Sequence, residues 1–323
     1  MSSSLAAIFP GQGSQHPGMG RYLYDEFSLV RELFEEASDA ISVDFKKLCF
    51  EGSDADLALT ENTQPCLLLV STSSYQVLKS EFGFLPKAAA GHSIGEYAAV
   101  VAAEAMGFAD GIRAVRKRGQ AMQSAVPVGQ GGMAAVMGLT PNQVEKVCKW
   151  TEEETGAKPL EPANFNAPGQ IVISGKMELI QWVSENFKPQ ILGEEKMRVK
   201  FIPLKVSAPF HCSMMMPAQE EMKQVLSEIT FQDGKFPVVQ NVHGKPETSG
   251  AKLRENLISQ VSQSVKWTDC MESLVEMNLT QMIECGAGQV LSGLNKKING
   301  ERIQTLTLNS MEELKLAGKV VTQ

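Results

Sequence analysis

The sequence predicts an α/β protein with a mostly parallel main sheet and a smaller inserted unit. Residues 5–126 alternate short apolar runs with segments of helical periodicity, a pattern typical of parallel strands joined by helices. A Pro- and Gly-rich run at residues 127–132 interrupts the alternation, which returns after the insert. We therefore expect a discontinuous large domain, residues 1–130 and 205–323, and a small domain at 131–204.

The elements of the large domain follow from short local signals. Residues 1–9 end in an apolar run just before Pro10 and predict the first strand. Residues 88–90 predict a second short strand, and residues 96–105 predict a helix directly behind it. The later strands of this domain are expected, between helices, at residues 237–242, 282–285 and 303–306.

The insert has its own order of elements. Thr140, Pro141 and Gln143 form a capping box with proline at the first helical position, so a helix begins there. The order β-α-β-β-α-β is that of a ferredoxin-like unit. Its strands are predicted at residues 133–137, 162–166, 170–174 and 198–204, and its helices at 140–150 and 177–186.

Composition limits the class of protein. The chain has 323 residues, of which 43% are hydrophobic and 21% charged, and its net charge of −7 argues against a general role with nucleic acids. The longest apolar stretch, residues 66–78, is shorter than the roughly 20 residues that span a membrane. No secretory signal is evident, and the 6 scattered cysteines predict reduced, mostly buried thiols without a metal site. We expect a cytoplasmic protein.

The pentapeptide Gly-His-Ser-Ile-Gly at residues 91–95 lies between a predicted strand and a predicted helix. This context is typical of a nucleophile elbow, a sharp turn that exposes a serine and needs glycines beside it. The alternative is a glycine-rich turn in which Ser93 has no chemical role. The motif predicts a nucleophilic Ser93 and identifies no substrate.

A serine nucleophile needs a base, and the chain has 4 histidines. His211 is the best candidate, because it follows the serine along the chain and lies just after the insert. His92 is expected to point away from Ser93, and a buried histidine without a role is the alternative for His211.

An oxyanion site needs two backbone N–H groups. One comes from Ile94, the residue after the serine, and the glycine-rich segment at residues 10–15 supplies the other through Gln12. A phosphate cradle is the alternative for that segment, although it lacks the residues of a P-loop.

A helix around residue 115 carries a run of positive charges. Helical spacing turns Arg113 and Lys117 toward solvent and leaves Arg116 and Arg118 beside the apolar stripe. A buried guanidinium needs an anionic partner, and a carboxylate pairs with it through two hydrogen bonds. A carboxylated substrate would fit, but the spacing does not choose between Arg116 and Arg118.

Five motifs together resemble the malonyl-CoA:acyl-carrier-protein transacylase family over nearly the whole chain. They are Gly11-Gln12-Gly13-Ser14-Gln15, Gly91-His92-Ser93-Ile94-Gly95-Glu96-Tyr97, Arg118-Gly119 with Met122-Gln123, Asn164-x-Asn166-x-Pro168-Gly169-Gln170, and Phe210-His211. The resemblance implies a large α/β-hydrolase-like domain with a mostly parallel sheet and an inserted ferredoxin-like subdomain.

The resemblance also implies roles for the candidate residues. Ser93 would carry the malonyl group as an ester, with His211 as its base. The amides of Gln12 and Ile94 would form the oxyanion hole, and Arg118 would hold the malonyl carboxylate. The family thus selects Arg118 where helical spacing left two arginines open.

Four further positions match family positions in the active-site region. Gln260 would orient the histidine through its backbone carbonyl, in place of an acid. Gln64, Phe210 and Asn166 would line the substrate site. No cofactor is implied, and the substrates would be malonyl-CoA and holo acyl-carrier protein.

The implied activity is ping-pong malonyl transfer that supplies fatty-acid synthesis. The acidic carrier protein would bind transiently at a basic patch, for which Arg113, Arg116 and Lys117 are candidates, and we expect a monomer. A serine thioesterase or esterase, a polyketide-pathway acyltransferase and an inactive carrier-binding module are the alternatives.

Overall fold

The computed structural model describes residues 4–300 and 302–323. Strands and helices alternate along the chain, as the apolar periodicity predicts. The strands are β1 Leu5–Phe9, β2 Ala88–Gly91, β3 Gly131–Met137, β4 Leu160–Ala167, β5 Gln170–Lys176, β6 Lys200–Pro203, β7 Val238–Val239, β8 Pro246–Glu247, β9 Gln281–Glu284 and β10 Gln304–Thr307. The α-helices are α1 Arg21–Glu26, α2 Ser28–Ile41, α3 Phe45–Glu51, α4 Asp54–Ala58, α5 Thr60–Phe82, α6 Ile94–Ala102, α7 Phe108–Ser124, α8 Pro141–Thr155, α9 Met177–Asn186, α10 Met216–Ser227, α11 Gly250–Gln260, α12 Trp267–Glu276, α13 Val290–Asn299 and α14 Met311–Val321.

The larger sheet has the strand order β10-β9-β1-β2-β7-β8. Every pairing in it is parallel except that of β7 with β8, so the predicted fold class is confirmed. β1 and β2 are buried along their whole length, as expected of central strands covered by helices on both faces. Residues 1–3 of the predicted first strand lie outside the described residues.

The smaller sheet has the order β4-β5-β3-β6, and its pairings are antiparallel. Together with α8 and α9 it forms the predicted β-α-β-β-α-β unit, which encloses its own apolar cluster. The capping box between Thr140 and Gln143 is present at the start of α8. All of these elements fall within residues 131–203. The division into domains at 1–130, 131–204 and 205–323 stays a prediction.

Backbone hydrogen bonds join β4 of the smaller sheet to the segment between α11 and α12. The Phe165 N–H donates to the Val265 carbonyl at 2.9 Å, and the Val265 N–H donates to the Ala163 carbonyl at 2.8 Å. This bridge brings β4, with Asn164 and Asn166, next to the carboxyl end of β2. In a parallel sheet that end is where a ligand is expected.

Some boundaries differ from the predictions. The helix after the elbow begins at Ile94 and ends at Ala102, because the first turn follows the serine directly. β7 has only two residues, since Gln240 already turns the chain by accepting a hydrogen bond from the Gly244 N–H. All 6 cysteines are free and buried, as predicted. Among the described helices, none is both long and apolar enough to cross a membrane.

Candidate active site

Ser93 lies at the turn between β2 and α6. Its φ of 52° falls in the left-handed region, which a non-glycine residue adopts only when the surroundings hold it there. A side chain on Gly91 would overlap the Gly95 carbonyl, and one on Gly95 would overlap the Phe9 carbonyl. The two glycines are therefore required by close backbone packing, and the turn has the geometry of a nucleophile elbow.

The side chain of Ser93 meets His211 directly. The Ser93 Oγ lies 2.7 Å from the His211 Nε2, and the His211 Nδ1 lies 2.9 Å from the backbone carbonyl of Gln260. A carbonyl only accepts hydrogen bonds, so Nδ1 carries the proton and Nε2 is free to accept one from the serine. This is the tautomer that a general base requires.

His211 is neutral in this environment. Burial, and after it the positive charge of Arg118, lower the pKa of its imidazole to about 3. The base is therefore unprotonated throughout the neutral range. Its backbone φ of 58° shows that the loop after the smaller sheet holds this residue in an uncommon conformation.

The guanidinium of Arg118 is the buried charge of the site. The residue is 1% exposed, and one of its terminal nitrogens donates to Gln64 Oε1 at 2.9 Å. The other donates to Gln260 Oε1 at 2.8 Å and to Ser93 Oγ at 3.2 Å. These acceptors are neutral, so the guanidinium has no anionic hydrogen-bond partner. An anionic ligand in the site would supply one.

The other basic residues of α7 have different surroundings. Arg116 is half-buried and forms an ion pair with Glu61 at 3.1 Å, while Arg113 pairs with Asp110 at 2.6 Å. Lys117 is exposed. Arg118 is thus the arginine of this helix that reaches Ser93, the choice that helical spacing left open.

These groups surround a cavity of about 160 Å³ between the two sheets. That volume is several times what one water molecule needs, enough for a short acyl group. Its lining residues are Gln12, Gln64, His92, Ser93, Ile94, Arg118, Met122, Met133, Asn164, Asn166, Val172, Leu204, Val206, Phe210 and His211. Across residues 4–300 and 302–323, no cluster of three or more His, Cys, Asp or Glu side chains could hold a metal ion.

Eight of the nine predicted site residues line this cavity. The ninth, Gln260, lies behind Arg118 and His211 and bonds to both. Ile94 opens α6, where the first N–H groups of a helix have no intrahelical partner and point toward a ligand. The structure places these residues together, and their individual roles stay predictions.

The sequence analysis missed three side chains of the site. His92, to which the sequence analysis gave no role beyond pointing away from Ser93, lines the cavity, and its Nε2 lies 2.7 Å from Asn166 Oδ1. Asn241 accepts a hydrogen bond from the Ser93 N–H at 2.8 Å, and Glu96 is buried behind the elbow. The position of Asn241 just after a parallel strand was an available signal.

A serine on such an elbow, with a neutral histidine in contact, is the arrangement of enzymes that form acyl-serine esters. Residues 7–305 match the family model described as the acyl transferase domain. The chain belongs to this acyltransferase family.

Relatives and solved structures agree with this family. A malonyl CoA-acyl carrier protein transacylase of Bacillus subtilis (strain 168) is 41% identical over 315 residues, 98% of this chain and 96% of the relative. The solved transacylase of that name from Coxiella burnetii has a TM-score of 0.93 and 34% identity, covering 100% of this chain and 99% of that one. A type II PKS acyl-carrier protein in complex with its malonyl-transacylase matches with a TM-score of 0.91 and 36% identity, covering 98% and 99%.

Proposed function

We propose that this chain transfers a malonyl group from malonyl-CoA to the phosphopantetheine thiol of a holo acyl-carrier protein, through an ester of Ser93. One observation carries the proposal: a buried guanidinium with neutral partners lies within 3.2 Å of a serine that contacts a neutral histidine. An acyl group with a free carboxylate satisfies both features. The names of the relatives support the same substrates.

The first half-reaction forms the ester. Ser93 Oγ attacks the thioester carbonyl while its proton passes to His211 Nε2, and a tetrahedral oxyanion forms. When this intermediate collapses, the carbon–sulfur bond breaks and the histidine returns the proton to the CoA thiolate. A positioned base of this kind contributes about 10²- to 10⁴-fold in rate.

The second half-reaction uses the same groups in reverse. The phosphopantetheine thiol gives its proton to His211 and attacks the malonyl ester. The ester bond then breaks, and Ser93 recovers its proton from the histidine. The backbone N–H groups of Gln12 and Ile94 are the proposed donors to the oxyanion in both halves.

Recognition of the acyl group falls to Arg118, with Gln64, Phe210 and Asn166 as the proposed surrounding wall. A malonyl carboxylate would accept two charge-assisted hydrogen bonds from the guanidinium, whereas an acetyl group offers none. The cavity of about 160 Å³ suits a group of this size.

The proposed docking patch for the acidic carrier protein is α7, close to the cavity. Arg113 and Arg116 already pair with Asp110 and Glu61, so Lys117 contributes most of the uncompensated charge there. The free cysteines fit the reducing cytoplasm, where we place the enzyme, and we expect a monomer with no resident cofactor.

The carrier protein could serve fatty-acid or polyketide synthesis. We favour the fatty-acid pathway on the resemblance stated above. The polyketide alternative has its own support, since the matched complex contains a type II PKS acyl-carrier protein. A thioesterase would use the same serine and histidine but would release the acyl group to water.

The test is intact-protein mass spectrometry after brief incubation with malonyl-CoA, then a chase with carrier protein. We expect one malonyl adduct, mapped to Ser93, that a holo fatty-acid carrier removes faster than water does. The Ser93→Ala variant should gain no adduct. Loss to water at the same rate would support a hydrolase, preferential transfer to a polyketide carrier would support the alternative pathway, and no adduct on folded protein would refute the proposal.

A further inference from the structure

A buried carboxyl group lies directly behind the nucleophile elbow. Glu96 is in the first turn of α6 and is fully buried. Its Oε2 accepts hydrogen bonds from the Asn241 N–H at 2.9 Å and from Gln260 Nε2 at 3.0 Å. Glu96 does not line the cavity, so neither the acyl group nor a thiol would touch it.

Gln260 connects this carboxyl group to the base and to the arginine. Its backbone carbonyl accepts from His211 Nδ1 at 2.9 Å, and its side-chain Oε1 accepts from Arg118 at 2.8 Å. A carboxylate can only accept hydrogen bonds, so Glu96 turns the NH₂ end of Gln260 toward itself. The Oε1 end of the amide is then directed at Arg118. In the flipped amide, Nε2 would face the guanidinium, and both groups are hydrogen-bond donors.

Asn241 connects the same carboxyl group to the nucleophile. The backbone N–H of Asn241 donates to Glu96, which fixes the chain just after β7. The Asn241 side chain accepts from the Ser93 N–H at 2.8 Å and donates to the Gly91 carbonyl at 2.7 Å. These two bonds hold both sides of the strained elbow.

We propose that Glu96 is a positioning residue for the transfer reaction, acting on His211 and Arg118 through Gln260 and on Ser93 through Asn241. Its part in transfer rests on the proposed function. Its effect on the serine and histidine can be measured without a malonyl donor.

The positioning role requires the ionised form of Glu96. Burial raises the pKa of Glu96 to about 7, while its two hydrogen-bond donors and the Arg118 charge oppose the rise. The ionisable groups facing it are Arg118 from α7, Tyr97 from its own helix and Cys270 from α12. Protonation weakens both hydrogen bonds, because charge-assisted bonds are about twice as strong as neutral ones.

Glu284 offers a matched control. It is also fully buried, has a pKa raised to about 7 by burial, and accepts hydrogen bonds from the N–H groups of Leu291 and Ser292 at 3.0 and 2.8 Å. It lies on β9 and does not line the cavity. Glu284→Gln therefore removes the same kind of buried charge and leaves the hydrogen bonds of Glu96 to Gln260 and Asn241 unchanged.

The experiment measures how fast Ser93 reacts with a neutral fluorophosphonate and with malonyl-CoA, from about pH 6 to about pH 8. Glu96→Gln is expected to slow both reactions roughly 10- to 100-fold, the equivalent of about one charge-assisted hydrogen bond. Glu284→Gln should keep the wild-type rates. The wild-type rates should fall below about pH 7, and this fall should be absent in Glu96→Gln.

Glu96→Asp retains the charge on a shorter side chain, so it should keep the fall at low pH with a smaller loss of rate. Equal rates in folded Glu96→Gln and Glu284→Gln would overturn the proposal, as would a flat wild-type profile, a test that needs no variant. Fluorophosphonate labelling of Ser93 without malonyl transfer would refute the proposed function while leaving the positioning role measurable.

Discussion

Replacing Arg118 by methionine tests how the enzyme selects its acyl group. Methionine has about the length of the arginine side chain without its charged end, so Arg118→Met keeps the unbranched stem and removes the guanidinium. Gln64 Oε1, Gln260 Oε1 and Ser93 Oγ then each lose a donor, at 2.9, 2.8 and 3.2 Å in the wild type. Those losses disturb the site for every acyl donor alike.

The loss specific to malonyl is the contact between its carboxylate and the guanidinium. A hydrogen bond to a charged group contributes about 1.5–3 kcal/mol, which corresponds to roughly 10- to 150-fold in rate. The ratio of malonyl to acetyl transfer should therefore fall by that factor, whatever the shared damage.

The assay is single-turnover acylation of Ser93 by malonyl-CoA and by acetyl-CoA, followed by intact-protein mass spectrometry. Arg31→Met is the matched control, because this half-buried arginine on α2 donates to the Tyr24 and Asp25 carbonyls and does not line the cavity. Its ratio should stay at the wild-type value. If Arg118→Met slows both donors by the same factor, Arg118 does not bind the acyl carboxylate.

Three further predictions follow from the geometry. His211→Ala should slow acylation about 10²- to 10⁴-fold, more than Glu96→Gln or any other Asp or Glu variant, because a backbone carbonyl and not a carboxylate contacts the base. A folded carboxylate variant equally inactive would contradict this. The pKa of Glu284 is raised from 4.5 in the unfolded chain to about 7 in the folded chain, so folding favours the protonated carboxyl group. The stability of the wild type should therefore fall by up to about 3 kcal/mol as the pH rises from 4.5 to about 7. Urea unfolding of the wild type and Glu284→Gln should therefore show a difference that grows in favour of the variant between these pH values, and a constant difference would refute the shift. Gly91→Ala should lower the free energy of unfolding by about 1–3 kcal/mol or more, because the new side chain would overlap the backbone of the elbow. Gly293→Ala, at an open helical position, should raise the free energy of unfolding by about 0.5–1 kcal/mol. The reverse order would contradict the packing argument.

Much of the fold could be predicted because its signals are short-range. The capping box at Thr140 and the exact extent of α9 need only a few neighbouring residues, and the β-α-β-β-α-β order follows from such segments in sequence. β7 was predicted too long and β8 was not predicted. Their two-residue pairing depends on a turn at Gln240, for which local apolar periodicity has no signal.

The site was predictable in part for a similar reason. Ser93 and Ile94 come from one pentapeptide, whereas the choice of His211 needed its order along the chain and the choice of Arg118 needed the family resemblance. The hydrogen bonds that join Glu96, Asn241 and Gln260 connect segments more than 140 residues apart in the case of Glu96. No local pattern indicates that these three side chains meet.

Residue type and spacing were sufficient to establish the α/β class, the inserted unit and the glycines that permit the elbow. These properties depend on steric limits and apolar periodicity, which act over a few residues. The neutral state of His211, the carboxyl group of Glu96 near its titration point and the buried charge of Arg118 became known from the folded chain alone. Each depends on how much water the packed segments exclude and on which distant charges they bring close, and both arise when those segments meet in space.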